Sequence, residues 1–435
     1  MARARLSARH VIANEEHLPN GAVLIAEDGR IEMVGADHHV PEPPGCVRRD
    51  YGDAVITPGL ANFHTHLELT GLNGGRALEE PHFPSWIRRL RELKAQRTRN
   101  DFLAAAREGV RQCLRQGVTM VADTGDTGVV AEALAEGGMR GVVYQEVFGP
   151  DPVLAPDSLR ALQHVVAALR QWESARVVIG VSPHAPYTVS GPLYRDTCLW
   201  AREQGLPIAV HIAESAEESA LLATGTGGFA DAWRRRSLPM PEPLGLTPVA
   251  FLDHWGVWGS QGDAGDQQPP RDTLAIHAVR VPSDDIRLLA ATGSVIAWCP
   301  LANRAHGHGD APASEFEQVG VPLGLGTDSE LSVGPIDLVA VARSIPAMTG
   351  APPGAVAMRL VFQGSSLPGA TGARDDRSVP LLMQGHPADI AVFRCPPGAD
   401  PWKAILAPES TPALATWLAG VEVHRLARAE GGAAG

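Results

Sequence analysis

Short apolar runs, each closed by a small or polar residue, recur along this chain. Eight of them stand between the two terminal segments: ITPGLANFHTH, GVTMVADTG, GVVYQEVFG, VVIGVSPHAP, PIAVHIAES, TLAIHAV, VIAWCPLAN and VPLGLGTDS. Each has the length of a strand. The stretches between them, such as 101–116 and 158–173, space their apolar residues at the period of an amphipathic helix. Strand and helix alternating eight times predicts an α/β fold, a (β/α)8 TIM-like barrel.

The ends read differently. GAVLIAEDGRIEMVGAD alternates in short apolar runs about Asp28 and Gly29, a dipeptide suited to a tight hairpin, and ADIAVF at 388–393 is a matching β-like run near the other terminus. Residues 1–57 plus 380–428 are therefore expected to form one small β-sandwich domain, with the barrel over 58–379. The polar, Gly- and Pro-rich segment 259–271 is expected as a surface loop before the sixth barrel strand, and 429–435 as a flexible tail.

Composition narrows the partner. The formal net charge of −12 argues against nucleic acid or an anionic membrane, so a small molecule is expected, with a homodimer left open. Five cysteines without a CxxC pair indicate neither a disulfide framework nor a cysteine zinc knuckle. The N-terminal MARARLSARHVIANEE is basic but lacks the apolar stretch of a signal peptide, and no window approaches a membrane span, so a cytoplasmic location is expected.

Candidate chemistry begins at FHTHLELT. In a strand, alternate residues share a face, so His64 and His66 point together and Thr65 away. A lone HxH is a weak sign of a metal, because solvated strands carry it too. Position strengthens it: His211, His277 and Asp328 close three other predicted strands, and barrel sites are built at those C-terminal ends. Taken singly, each histidine could bond a backbone carbonyl and Asp328 could cap a helix. All of them falling at strand ends by chance is the weaker account. Three neutral imidazoles and one carboxylate suit zinc, or another divalent first-row ion, with an open position for water.

In that order, PGLANFHTHLELTGL, SPHAPYTVS, VHIAES, IHAV and LGTDS resemble the amidohydrolase superfamily, in its branch of nucleobase, nucleoside and triazine aminohydrolases, and the resemblance extends over nearly the whole chain. It implies a metal-dependent hydrolytic deaminase. It further implies His64, His66, His211 and Asp328 as ligands of one divalent ion, with Zn2+ first and Fe2+ or Mn2+ as alternatives. Glu214 would be the proton-transferring residue and His277 the partner of the water on the ion. Binuclear members bridge two ions through a carboxylated lysine ending the fourth strand. Here that strand reads GVSPHAPY, and the only lysines, Lys94 and Lys403, lie near no predicted strand end, so one metal is expected.

The residue types fit such a reaction. Glu214 lies three residues after His211, within reach of a ring nitrogen of a bound heterocycle; its plainer reading is a helix cap or a solvated loop residue. Asp328 can accept a proton or orient the nucleophile. His184 in SPHAPYT would contact the ribose or the substrate edge by resemblance to nucleoside deaminases, or else simply bond local backbone. Glu68 shares the face of His66 if the strand continues that far, and would bind substrate. Phe83 and Trp86 could line an apolar lid for an aromatic group, although aromatics at this spacing are more often ordinary helix-face packing.

HTHLEL followed by HFPSWIRRL resembles aminodeoxyfutalosine deaminases of menaquinone biosynthesis more than guanine or triazine enzymes, making 6-aminodeoxyfutalosine the leading substrate expectation. A deaminase or chlorohydrolase of another heterocycle and a non-catalytic metal-binding barrel are the alternatives. The second HxH, His306 and His308, is flanked by glycines and reads as a flexible loop near the pocket, with metal binding a minor option. Ala302 before Asn303 departs from the serine the family often carries there, and Cys299 reads as packing.

Overall fold

The computed structural model describes residues 2–14, 16–80, 82–259, 272–370 and 379–427. Most of the expected 259–271 loop and the whole 429–435 tail lie outside the described residues. Strands β1 (Ala4–Ala13), β2 (Glu16–Ile25), β3 (Ile31–Ala36), β4 (Val47–Asp50) and β5 (Ala54–Pro58) come first. Then follow β6 (Leu60–Thr65), β7 (Val118–Gly125), β8 (Arg140–Val147), β9 (Val177–Pro183), β10 (Ile208–Ile212), β11 (Thr273–His277), β12 (Val295–Trp298) and β13 (Leu323–Leu325). The last three are β14 (Ile390–Arg394), β15 (Ala415–Leu418) and β16 (Val421–Arg425).

The terminal strands make one mixed sheet of order β16-β15-β14-β5-β1-β2-β3, with β4 beside β1. Its hairpin turns at Gly29, whose φ of 81° favours glycine. Leu6, Val23, Ile56, Ile390 and Trp417 fill its inner face. The sheet is fastened to the barrel floor by a buried ion pair, Arg140 Nε to Asp389 Oδ2 at 2.5 Å.

Strands β6 to β13 lie side by side in chain order, all parallel. Closure between the first and the last comes from the carbonyl of His64, which accepts the backbone N–H groups of Thr327 and Asp328, each at 3.0 Å. Ala61, Phe63, Met120, Tyr144 and Ile276 pack the interior. A side chain at Gly324 would enter the Phe63 ring, which is why the short last strand reads Leu-Gly-Leu. Helices cover the outside; the helix Arg99–Arg115 starts in a capping box between Thr98 and Asp101, satisfying amides that the helix itself cannot.

Candidate metal centre and active site

At the C-terminal ends of the barrel strands, the backbone takes conformations that side chains rarely adopt. Ala213, His277, Ala278 and Asp328 have φ of 51°, 71°, 47° and 60°. Each such residue costs on the order of 1–3 kcal/mol, and the surrounding fold must hold it there. His277 ends β11, Ala213 and Ala278 come directly after β10 and β11, and Asp328 follows β13, where the sequence places its ionisable residues. The pairing of β6 with β7 also slips between Asn62 and Thr65, re-aiming the last side chains of that strand.

The histidines converge. Ring centroids of His64 and His66 are 4.7 Å apart, those of His64 and His211 4.9 Å, and those of His64 and His277 5.6 Å. Asp328 Oδ1 lies 3.5 Å from Nε2 of both His64 and His66. Hydrogen bonds at the far side of two rings set which nitrogen faces inward. His66 donates its Nδ1–H to the Thr124 carbonyl at 2.8 Å, and His211 donates its Nδ1–H to the His184 carbonyl at 3.3 Å, leaving each Nε2 lone pair free. Both ring nitrogens of His64 are buried without a hydrogen-bond partner.

Such orphaned polar atoms inside a protein cost free energy unless something ligates them. Burial, with His64 beside it, pulls His66 down to about 3, and burial with His184 beside it holds His211 well below the ordinary histidine range. Burial would raise the Asp328 carboxyl, but His64 beside it, with His66 and His277, carries it well below its usual range. Neutral imidazoles and an ionised carboxylate are the donor set of a divalent first-row ion, so the residues present fit one.

Beside the cluster, His277 donates Nδ1–H to Asn303 Oδ1 at 2.9 Å and turns Nε2 toward Glu214 Oε1 at 3.5 Å. Glu214 is itself held by its backbone. Glu218, fully buried, accepts the Ala213 N–H at 2.8 Å and the Glu214 N–H at 2.9 Å on its two oxygens, and the Ser215 hydroxyl caps the helix Ala216–Thr224. Sequence reasoning missed Glu218 and Asn303; the Ser-x-x-Glu spacing of a capping box was the available signal.

Over the cluster opens a cavity of about 340 Å3, lined by His66, His211, Glu214, His277 and Asp328 at its base. His184, Trp86 and Phe83 line it as well. Glu68 does not. The strand stops at Thr65 and the chain enters a 3-10 turn, Leu67–Leu69, so alternation no longer applies; the buried Glu68 carboxylate instead accepts from Lys94 Nζ at 2.8 Å and from the Thr127 hydroxyl. That corrects its expected place against substrate.

Lys94, set aside in the sequence because no strand end is near it, reaches the cavity from the end of the helix Phe83–Lys94, paired with Glu68 and with Asp126 at 2.5 Å. The loop at His306 and His308 stands at the pocket; it follows a short helix, Pro300–Ala305, and His308 N–H donates to the Asn303 carbonyl at 2.8 Å. His306 lines the cavity, and the buried His308 places Nε2 3.5 Å from Glu214 Oε1. Arg91, Arg236 and Glu146 complete the wall and were not anticipated. All five cysteines are free, and among the described residues no helix is long and apolar enough to cross a membrane.

Comparison with known proteins agrees with this geometry. The amidohydrolase family model matches residues 55–424. The aminodeoxyfutalosine deaminase of Deinococcus radiodurans is 32% identical over 333 residues, 72% of this chain and 72% of that one. A 5-methylthioadenosine/S-adenosylhomocysteine deaminase of Symbiobacterium thermophilum is 28% identical over 319 residues, 72% of this chain and 65% of the relative. Among solved structures, an adenosine deaminase from Xanthomonas campestris with bound zinc superposes with a TM-score of 0.79 at 20% identity, covering 97% of this chain and 92% of that one.

Proposed function

The chain belongs to the amidohydrolase family and is a hydrolytic enzyme that cleaves a C–N bond, and from this premise we propose that it removes the exocyclic amino group of a purine nucleoside, 6-aminodeoxyfutalosine first, as ammonia. The observation that carries the reading is Glu214, which stands between His277 and His308, each at 3.5 Å, on the cavity floor beside the ligand cluster.

His64, His66, His211 and Asp328 would hold one divalent ion, zinc before iron or manganese, for which the zinc-bound structural relative is support. When bound, such an ion lowers the pKa of its water to about 7. Asp328 orients the attacking water and receives its proton. Glu214 delivers a proton to the ring nitrogen next to the amino-bearing carbon, which makes that carbon electrophilic. His277, its Nδ1–H held by Asn303, presents the Nε2 lone pair and accepts a hydrogen bond from the attacking water, which helps to orient it. A second proton transfer to the amino group lets it leave as ammonia.

Identity to the Deinococcus enzyme supports the aminodeoxyfutalosine reading. A second reading, a 5′-thio-substituted adenosine, is supported by the Symbiobacterium relative. The deciding experiment is ammonia release by metal-loaded protein against adenine nucleosides of both kinds, with guanine, cytosine and triazines as controls. Glu214→Gln is expected to retain about one metal per chain and to lose on the order of 10²–10⁴ in rate. If no nucleoside releases ammonia from fully metallated protein, the deaminase reading fails; a binding barrel has no turnover to lose.

A further inference from the structure

His308 faces two different spaces. Its buried Nε2 lies 3.5 Å from Glu214 Oε1, yet the ring does not line the cavity that holds Glu214 and His306. It lines a separate, open groove, together with Val279, Arg280, Gly309 and Asp310. Two contacts keep the ring in this partition: Phe83, standing at 86° to it with centroids 4.7 Å apart, and the bond from its own backbone N–H to the Asn303 carbonyl at 2.8 Å.

The two ring nitrogens differ accordingly. A carboxylate only accepts, so the nitrogen turned toward Glu214 carries the hydrogen, across a separation that tightens to a hydrogen bond in a loaded site. Nδ1 is then the lone-pair acceptor. It is not one of the enclosed polar atoms, and it makes no hydrogen bond among the described residues. At the groove, both Asp310 oxygens are engaged by Arg304, at 2.6 and 2.8 Å. An imidazole with a donor toward a carboxylate and an open acceptor toward solvent has the two ends that a proton shuttle needs.

We propose that His308 carries protons between Glu214 and the solvent of this outer groove, so that Glu214 is loaded and unloaded without using the space that substrate fills. The proposal rests on the deaminase reading above; His308 stands outside the cavity and acts through Glu214. Inbound, water in the groove gives a proton to Nδ1, and the Nε2 hydrogen passes to Glu214, which hands it to the ring nitrogen. The imidazole is left as its other tautomer. Outbound, the hydroxyl proton of the tetrahedral adduct, released as the C=O bond forms and the C–N bond breaks, goes to Glu214 and on to Nε2, while the Nδ1 hydrogen returns to the groove. That restores the first tautomer. The other proton of the attacking water reaches the amino group through Asp328 and leaves with ammonia. One proton enters and one departs, so the sum remains amine plus water giving carbonyl plus ammonia.

The test measures ammonia release from an adenine nucleoside by the metal-loaded full chain, wild type, His308→Ala and His308→Gln. In His308→Ala, kcat should fall by about tenfold or more with KM within about threefold of wild type. Added imidazole should restore kcat by several-fold and saturably, whereas pyrrole, of the same shape but with no second nitrogen, should not; the wild type should respond to neither. His308→Gln still presents an N–H to Glu214 and cannot relay, so its kcat should fall as far, and it carries the test if the alanine variant does not fold.

A wild-type kcat in His308→Gln overturns the proposal. So does rescue of His308→Ala by pyrrole as well as by imidazole, or by neither in folded, metal-loaded protein. If wild-type protein releases no ammonia from any nucleoside, the deaminase reading has failed, and the outer route is read without turnover. The ring C2 hydrogen of His308 should then exchange in D2O about tenfold or more faster than that of His64, whose two nitrogens are both enclosed. Exchange as slow as that of His64 overturns the relay on its own account.

Discussion

His308 Nε2 lies 3.5 Å from Glu214 Oε1, the same separation as His277 Nε2 on the other side. Burial acts to raise the Glu214 carboxyl, but His277 and His308 outweigh it, and the group sits below its ordinary value. Glu214 is therefore poised as a carboxylate that can take a proton and pass it on. His308→Leu removes one of the two lowering partners and leaves the burial, so the Glu214 pKa moves up. The acidic edge of the kcat/KM profile should move to higher pH by about one unit, with metal content unchanged. Superimposable profiles would show that His308 does not govern Glu214.

Glycine at 326 is a matter of room. A Cβ there would lie 2.9 Å from both the Cβ and the backbone nitrogen of His64, and 2.8 Å from Cys299 Sγ. Neither backbone nor ligand can give way cheaply, so Gly326→Ala should displace His64 and lower bound metal well below one per chain. Gly324→Ala, which meets Phe63 inside the barrel, serves as the comparison. It should cost about 1–3 kcal/mol of stability through overpacking while the metal stays. Metal analysis with thermal melts separates the two; equal metal retention in both variants would refute the argument for His64.

Burial pushes Glu218 up to about 8, against the backbone amides that favour its ionised form. The sign follows from linkage. A carboxyl whose folded pKa lies above its unfolded value binds its proton more tightly when folded, so it imposes no penalty below the unfolded pKa and a growing one as pH rises toward 8. Wild-type stability should fall across that window. Glu218→Gln cannot ionise and keeps one acceptor for the Ala213 and Glu214 amides, so its melting temperature should fall less between pH 5 and 8. A parallel decline in both proteins would mean that another group carries the pH dependence.

Much of this site is legible in the sequence because its residues end apolar runs, where the barrel gathers them. His64 and His66 are read together from strand alternation, and His211, His277 and Asp328 from their place at the ends of predicted strands. The same reasoning fails where the period changes. Glu68 leaves the strand for a 3-10 turn, and Lys94 arrives from a helix end distant in sequence. His308 shows a different limit: nothing in a glycine-flanked loop marks a histidine that folds back to 3.5 Å from Glu214. Glu146 hides within YQEV, where nothing marks a carboxylate in a strand as cavity-facing.

Arg91 and Arg236 both line the cavity wall, and burial, with the charge of Arg236 nearby, lowers the Arg91 pKa. Neither makes an ion pair with an acid among the described residues, unlike Lys94, which is neutralised by Glu68 and Asp126. Two uncompensated cations favour an anion between them, and a nucleoside with its base on the cavity floor would bring its 5′ substituent toward them. Adenine nucleosides ending in a carboxylate should therefore be turned over with higher kcat/KM than neutral ones of matched size, by about tenfold or more at low salt. Raising the ionic strength should narrow the gap. The double variant Arg91→Gln with Arg236→Gln should erase most of it, with the loss falling on KM and on the carboxylate substrates. If neutral and anionic substrates lose equally, the arginines shape the wall without reading charge, and the preference between the two substrate readings must be sought elsewhere in the cavity.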